Sequence, residues 1–279
     1  MLEVLNGKTC DEVLVKSRME PTMTVSELSS QLQSLQRQRS IVLKSRNMQA
    51  NRLQAIVAGT LGYSSSMEEK DRQKKFKEAT EIIEQVRNDS VAHPLKSVIL
   101  TTLVGIDAFE SIKAALEVQM KSIAKGLPAA SWVNAPQQRG FGLLFLAIVV
   151  GETGDLANYA NPGKVWRRLG CAPHTFEAKT LMGATWRSGK EGKLPASEWE
   201  EFGYSPRRRS IAYLIGDGIV KQNKSVYRAR YDETKARIKE LHPDYSDLRC
   251  HRHGMLLATK LLLKNLWMTW NPSLVIKSL

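Results

Sequence analysis

The chain has 279 residues, 42% hydrophobic and 25% charged, a balance ordinary for a globular protein of one large or two modest domains. Its net charge of +13 is not ordinary, and residues 160–279 carry nearly all of it, 22 Lys/Arg against 11 Asp/Glu, whereas 1–159 hold 19 against 17. Such asymmetry points to a surface that meets phosphates, with a merely solvated surface as the alternative, and it does not point to a membrane, because the longest apolar run, Phe141 to Val150, is too short to span one.

Residues 1–24 show no sustained periodicity and no basic-then-apolar leader, and Pro21 interrupts them, so they read as a flexible lead. A helix is expected from Thr24, which can cap it, with Glu27 completing a capping box. Val25, Leu28, Leu32 and Leu35 follow at the three-and-four spacing of a coiled-coil seam; Arg39 and Arg46 interrupt it, and Leu53, Ile56 and Val57 resume it. Gly59, Gly62 and the serines 64–66 mark a turn. A second helix runs through Phe76, Ala79, Ile83 and Val86, and a third from about Leu95 to Lys125. Residues 25–126 thus form a helical arm, either self-associating or folded as a local three-helix bundle.

The composition changes at residue 139. Arg139-Gly140-Phe141-Gly142 precedes an apolar helix over 143–150. Two glycines at a helix start allow a tight turn whose amides face outward, where the helix dipole favours an anion. That is how a helix-hairpin-helix unit grips one phosphate without reading a base; an ordinary tight turn is the alternative. Gly151-Glu152-Thr153-Gly154-Asp155-Leu156 comes next, then Pro162 and Trp166-Arg167-Arg168-Leu169-Gly170-Cys171-Ala172-Pro173. Ser188-Gly189, the basic run Gly203-Tyr204-Ser205-Pro206-Arg207-Arg208-Arg209 and an apolar helix over 258–267 complete the series. In this order the segments resemble the C-terminal half of the insertion-sequence transposases of the 110/116/902 family, whose coiled-coil linker the arm also resembles. The resemblance implies a mostly α fold, a coiled-coil-like arm followed by a helix-hairpin-helix domain over 135–279, acting in recombination or transposition. A small amount of strand is possible around 175–200.

The resemblance also implies that Ser188 is the candidate catalytic residue, attacking a DNA phosphate. A serine hydroxyl needs a base, metal or dense positive field to do so. In the family a separate RuvC-like domain supplies a carboxylate-bound divalent metal. That domain has no counterpart in this sequence, so no cofactor is expected in the chain itself and strand transfer is expected only with a separate RuvC-like subunit. Two departures bear on the site: Glu198, Glu200 and Glu201 lie between Ser188 and Arg207, and Gly203-Tyr204 stands where the family has glycine-asparagine.

The candidate nucleic-acid-binding residues are Arg139, Gly140, Gly142, Arg167, Arg168, Lys190, Lys193, Arg207, Arg208, Arg209, Lys224 and Arg228. Arg207–Arg209 at a helix start would put several donors on one phosphate track. Lys224, Tyr227, Arg228 and Tyr231 share a helix face by spacing, which suits either base stacking or tyrosines turned into a core. Gly216-Asp217-Gly218 reads as a turn, and Cys250-His251-Arg252-His253 as the lead into the last helix rather than a zinc site. Three cysteines, Cys10, Cys171 and Cys250, are odd in number and far apart, so no disulfide framework is implied and a cytoplasmic, nucleoid-associated setting in a bacterium or phage is expected. DNA is the expected partner. A structured RNA is the second possibility, and a helical assembly role without nucleic acid the third.

Overall fold

A computed structural model describes residues 23–172, 205–222 and 225–273. Ser188, Lys190, Lys193 and Lys224, the strand expectation around 175–200 and residues 1–22 of the expected lead therefore lie outside the described residues. The described residues are helical and contain no strand. The mostly α expectation holds.

Three long helices build the arm: α1 (Val25–Thr60), α2 (Glu69–Arg87) and α3 (Lys96–Ala124). The capping box at the start of α1 forms as expected, with Thr24 accepting from Glu27 N–H and the Glu27 carboxylate accepting from Thr24 N–H. Those hydrogen bonds hold the Glu27 carboxyl below its usual range. The two arginines that break the apolar seam cross to α3: Arg39 pairs with Glu117 at 2.7 Å and Arg46 with Glu110 at 2.9 Å. Charges at seam positions are thus met by charges on the facing helix, which fixes the register of α1 against α3.

The arm has two cores. Its far end closes on Leu53, Val57, Ala79, Ile83, Val86, Ile99, Leu103 and Ile106, a local three-helix cluster. Its near end does not close on itself: Leu32, Met120 and Ala124 belong to the main core shared with the rest of the chain. The arm is therefore rooted in the second domain.

That domain comprises α4 (Ala130–Val133), a 3-10 turn over Pro136–Gln138, α5 (Leu143–Thr153), a 3-10 turn over Leu156–Asn158 and α6 (Pro162–Arg168). The later helices are α7 (Pro206–Lys221), α8 (Val226–Leu241) and α9 (Asp247–Trp270). Apolar almost throughout, α5 is buried along Leu146–Val150 against α1 and α3. Close approach to α1 depends on Gly151, where a Cβ would stand 2.6 Å from Gln36 Cβ and 2.9 Å from the Leu32 carbonyl. Two tryptophans then lock α9 in place: Trp267 Nε1 donates to the Tyr159 carbonyl at 2.8 Å and Trp270 Nε1 to Asp155 Oδ1 at 2.9 Å.

Two local readings change. Gly216-Asp217-Gly218 is not a turn but lies inside α7. Both glycines are contact points: a Cβ on Gly216 would meet Thr259 Oγ1 at 2.8 Å, and one on Gly218 the Gly140 carbonyl oxygen at 2.8 Å. Close packing, not chain reversal, explains them. Likewise Cys250–His253 lies within α9, with Cys250 in the interior and His251 Nδ1 against the Tyr231 hydroxyl at 2.8 Å. Among the described residues no group of three His, Cys, Asp or Glu could hold a metal, and no helix is long and apolar enough to cross a membrane.

Candidate nucleic-acid interface

The arginine run opens α7 as expected. Ser205 caps the helix by accepting from Arg208 N–H, and Pro206 takes the first helical position. Cations in a first turn oppose the helix dipole, so three successive arginines there need a counter-charge. It comes from Glu152, the last residue but one of the buried α5.

Glu152 is a buried carboxylate on which four donors converge. Its Oε1 accepts from Gln36 Nε2 at 2.9 Å and Arg207 Nη1 at 2.5 Å; its Oε2 accepts from Arg207 Nη2 at 2.7 Å and Arg208 Nε at 3.4 Å. The Arg207 pairing is the two-pronged geometry in which guanidinium and carboxylate match best. Arg207 also donates to Ser40 Oγ at 2.9 Å, and Arg168 Nε to the Glu152 carbonyl at 3.2 Å. The Glu152 carboxylate thereby ties α5 to α1 and α7, and its main-chain carbonyl ties α5 to α6. Three guanidiniums surround Glu152, so the cluster keeps a net positive charge. Burial and the neighbouring Arg168 and Arg207 push Arg208 below the usual guanidinium value, partly countered by Glu152.

From Arg207 a surface groove of about 830 Å³ runs along α1, lined by Ser40, Ile41, Lys44, Asn47, Met48, Asn51, Arg52 and Ala55. No acidic residue lines it. Between Gln31 and Thr60 the helix has none at all, against five Lys/Arg. Arg39 and Arg46 are used against α3, while Arg37, Lys44 and Arg52 are exposed. Regional charge does not reveal these α1 positions, because the net excess lies in residues 160–279. The signal was present as a helix of 36 residues with a single acid, Glu27, in its first turn.

The other candidate residues divide. Arg209 donates to the Gly170 carbonyl at 3.1 Å, linking α7 to the end of α6. Arg139 and Arg167 are exposed. Gly140 has φ +92°, as a tight turn requires, but its backbone is pressed on α7: a Cβ would lie 2.7 Å from the Gly218 carbonyl oxygen. Gly142 caps α5 without side-chain help, and a Cβ there would meet nothing within 4 Å. The turn at Gly140 meets α7 eleven residues after Arg207, about 16 Å along the helix axis, so that turn and the arginine run are separate places. Arg228 serves the fold, donating to the Val220 carbonyl at 2.5 Å and to Asp232 at 2.8 Å.

The stacking expectation for the tyrosines of α8 is corrected. Tyr227 is fully buried, its hydroxyl accepting from Asn265 Nδ2 at 3.1 Å, and Tyr231 is 4% exposed. Both face α9. Burial also pushes the Cys171 thiol up, despite nearby Arg209 and Lys260, so it stays protonated and unreactive at neutral pH.

Comparison with family models, with curated proteins and with solved structures finds no match to this chain.

Proposed function

We propose that this chain binds nucleic acid, with duplex DNA as the preferred partner, through its phosphates rather than its bases. The observation that carries the reading is the acid-free groove of α1 running to the net-positive cluster of Arg168, Arg207 and Arg208. Lys44 and Arg52 provide exposed cations, and Asn47 and Asn51 provide neutral hydrogen-bonding groups between them. Cations and amides without a fixed donor-acceptor pattern hold a backbone and leave sequence unread. The resemblance to insertion-sequence transposases supports recombination or transposition as the setting. Within it, strand transfer through Ser188 belongs to a complex in which a partner supplies the metal site.

Binding measured against salt on linear duplex, branched DNA, single strand and structured RNA tests the proposal. The expected result is a steep fall of log K with log salt, about 0.9 per phosphate on a duplex, with tighter binding to linear or branched duplex than to single strand or RNA. A shallow slope on all four would refute it. Preference for structured RNA would reassign the partner.

A further inference from the structure

The surface of the arm is uneven in a way that nucleic-acid binding does not use. Over residues 97–119 of α3 the exposed positions carry a single charge, Asp107, and Arg87 neutralises it at 2.7 Å. One residue in four is charged in the chain as a whole, so an exposed face 23 residues long with one charge is exceptional. The other charges of this stretch lie off the face, Glu110 and Glu117 turning to the arginines of α1 and Lys113 pairing with Glu110. In their place stand exposed Val98, Leu100, Val104, Ile112 and Val118, with Val104 at 70% and Val118 at 62% exposure.

The spacing is as informative as the composition. Thr101, Val104, Ala108, Ser111, Ala115 and Val118 are all exposed and follow one another at alternating steps of three and four. That is a heptad seam, distinct from the buried seam of Ile99, Leu103, Ile106 and Leu116 by which α3 closes its own bundle. A heptad seam facing outward is complementary to another helix with the same repeat, and a second copy of α3 supplies one. Read antiparallel, the seam pairs with itself: Thr101 meets Val118, Val104 meets Ala115, and Ala108 meets Ser111. Each valine thus opposes a smaller or polar β-branched residue, which permits close approach without overpacking.

Charge selects the direction. The described residues beyond 160 (160–172, 205–222 and 225–273) hold 16 Lys/Arg against 6 Asp/Glu and pack at the end of α3 that holds Met120 and Ala124. A parallel pair would bring two such masses together. An antiparallel pair holds them apart by most of the seam and its ends, about 39 Å over 26 residues, several screening lengths at physiological salt. We propose that the outer face of α3 is a homodimer interface, pairing antiparallel with the same face of a second copy. One helix face per partner is at the small end of specific interfaces, so association in the micromolar range is expected.

Sedimentation equilibrium of the full chain, without nucleic acid, tests this independently of the binding proposal. A dimer is expected, and V104E with V118E should weaken it at least 100-fold. Circular dichroism should be unchanged, because both side chains are already in solvent. Direction is read by disulfide cross-linking in a C10A background. A108C mixed with S111C should link to each other, while A108C alone should not. A monomer at several hundred micromolar, a dimer indifferent to V104E/V118E, or self-linking of A108C would each overturn the proposal.

Discussion

Replacing Glu152 by Gln separates what the arginine cluster does for the fold from what it does for a ligand. The substitution keeps shape and removes a charge. Gln has one accepting oxygen where Glu152 has two, so the new amide nitrogen must face donors: either Arg207 Nη2 and Arg208 Nε, or Gln36 Nε2 and Arg207 Nη1. Removing one partner of a fully buried ion pair costs about 3–5 kcal/mol. Here the carboxylate side chain is 2% exposed but Arg207 is 49% and Arg208 21% exposed. Arg207 can rehydrate, which discounts its share; Arg208 and Gln36 cannot do so as readily. A loss of about 3 kcal/mol follows, or roughly 6–12 °C in Tm for a chain of this size. Affinity should move the other way. Freed of its carboxylate, the cluster has one more positive charge for phosphates, so binding at low salt should tighten several-fold and the salt slope should steepen. Thermal unfolding and a salt titration on the same preparation measure both. A Tm within 2 °C of the parent would refute the keystone role of Glu152, and weaker binding would refute the placing of phosphates near Arg207.

Gly140→Ala should destabilise by at least about 2 kcal/mol, because φ is +92° and the added Cβ would strike the Gly218 carbonyl. Gly142→Ala should leave Tm within about 2 °C, since nothing lies within 4 Å; equal Tm values for the two variants would contradict the packing described. Arg228→Ala should cost about 1–2 kcal/mol through its bonds to Val220 and Asp232 while leaving the salt slope unchanged. A slope reduced by nearly one unit would instead make Arg228 a phosphate contact.

Most of the helical layout was legible in local chemistry. The capping box at Thr24 and Glu27, the long arm helices and the helix start at Arg207 follow from spacing and caps that act within a few residues. What escaped depends on contacts far apart in the chain. Gly216 and Gly218 look like helix breakers because propensity is local, and they stay helical because Thr259 and Gly140 need their missing side chains. Tyr227 and Tyr231 lie one helix turn apart, a pattern identical for an inward and an outward face, and only the position of α9 decides it. Glu152 was visible as part of a motif, but its convergence with Gln36, Arg207 and Arg208 joins residues separated by 116, 55 and 56 positions. The groove of α1 was missed for a different reason: net charge by region hides a helix whose acids are simply absent.

Phosphates that follow α1 toward Arg207 must be neutralised by its groove cations, and the salt slope of a K44A/R52A variant tests that most directly. Both side chains are exposed groove cations, so folding should be unaffected. The slope on linear duplex should fall by about 1.8, two contacts at 0.9 each, with the loss shared by all sequences. An unchanged slope, with binding intact, would mean that the groove is not the phosphate track.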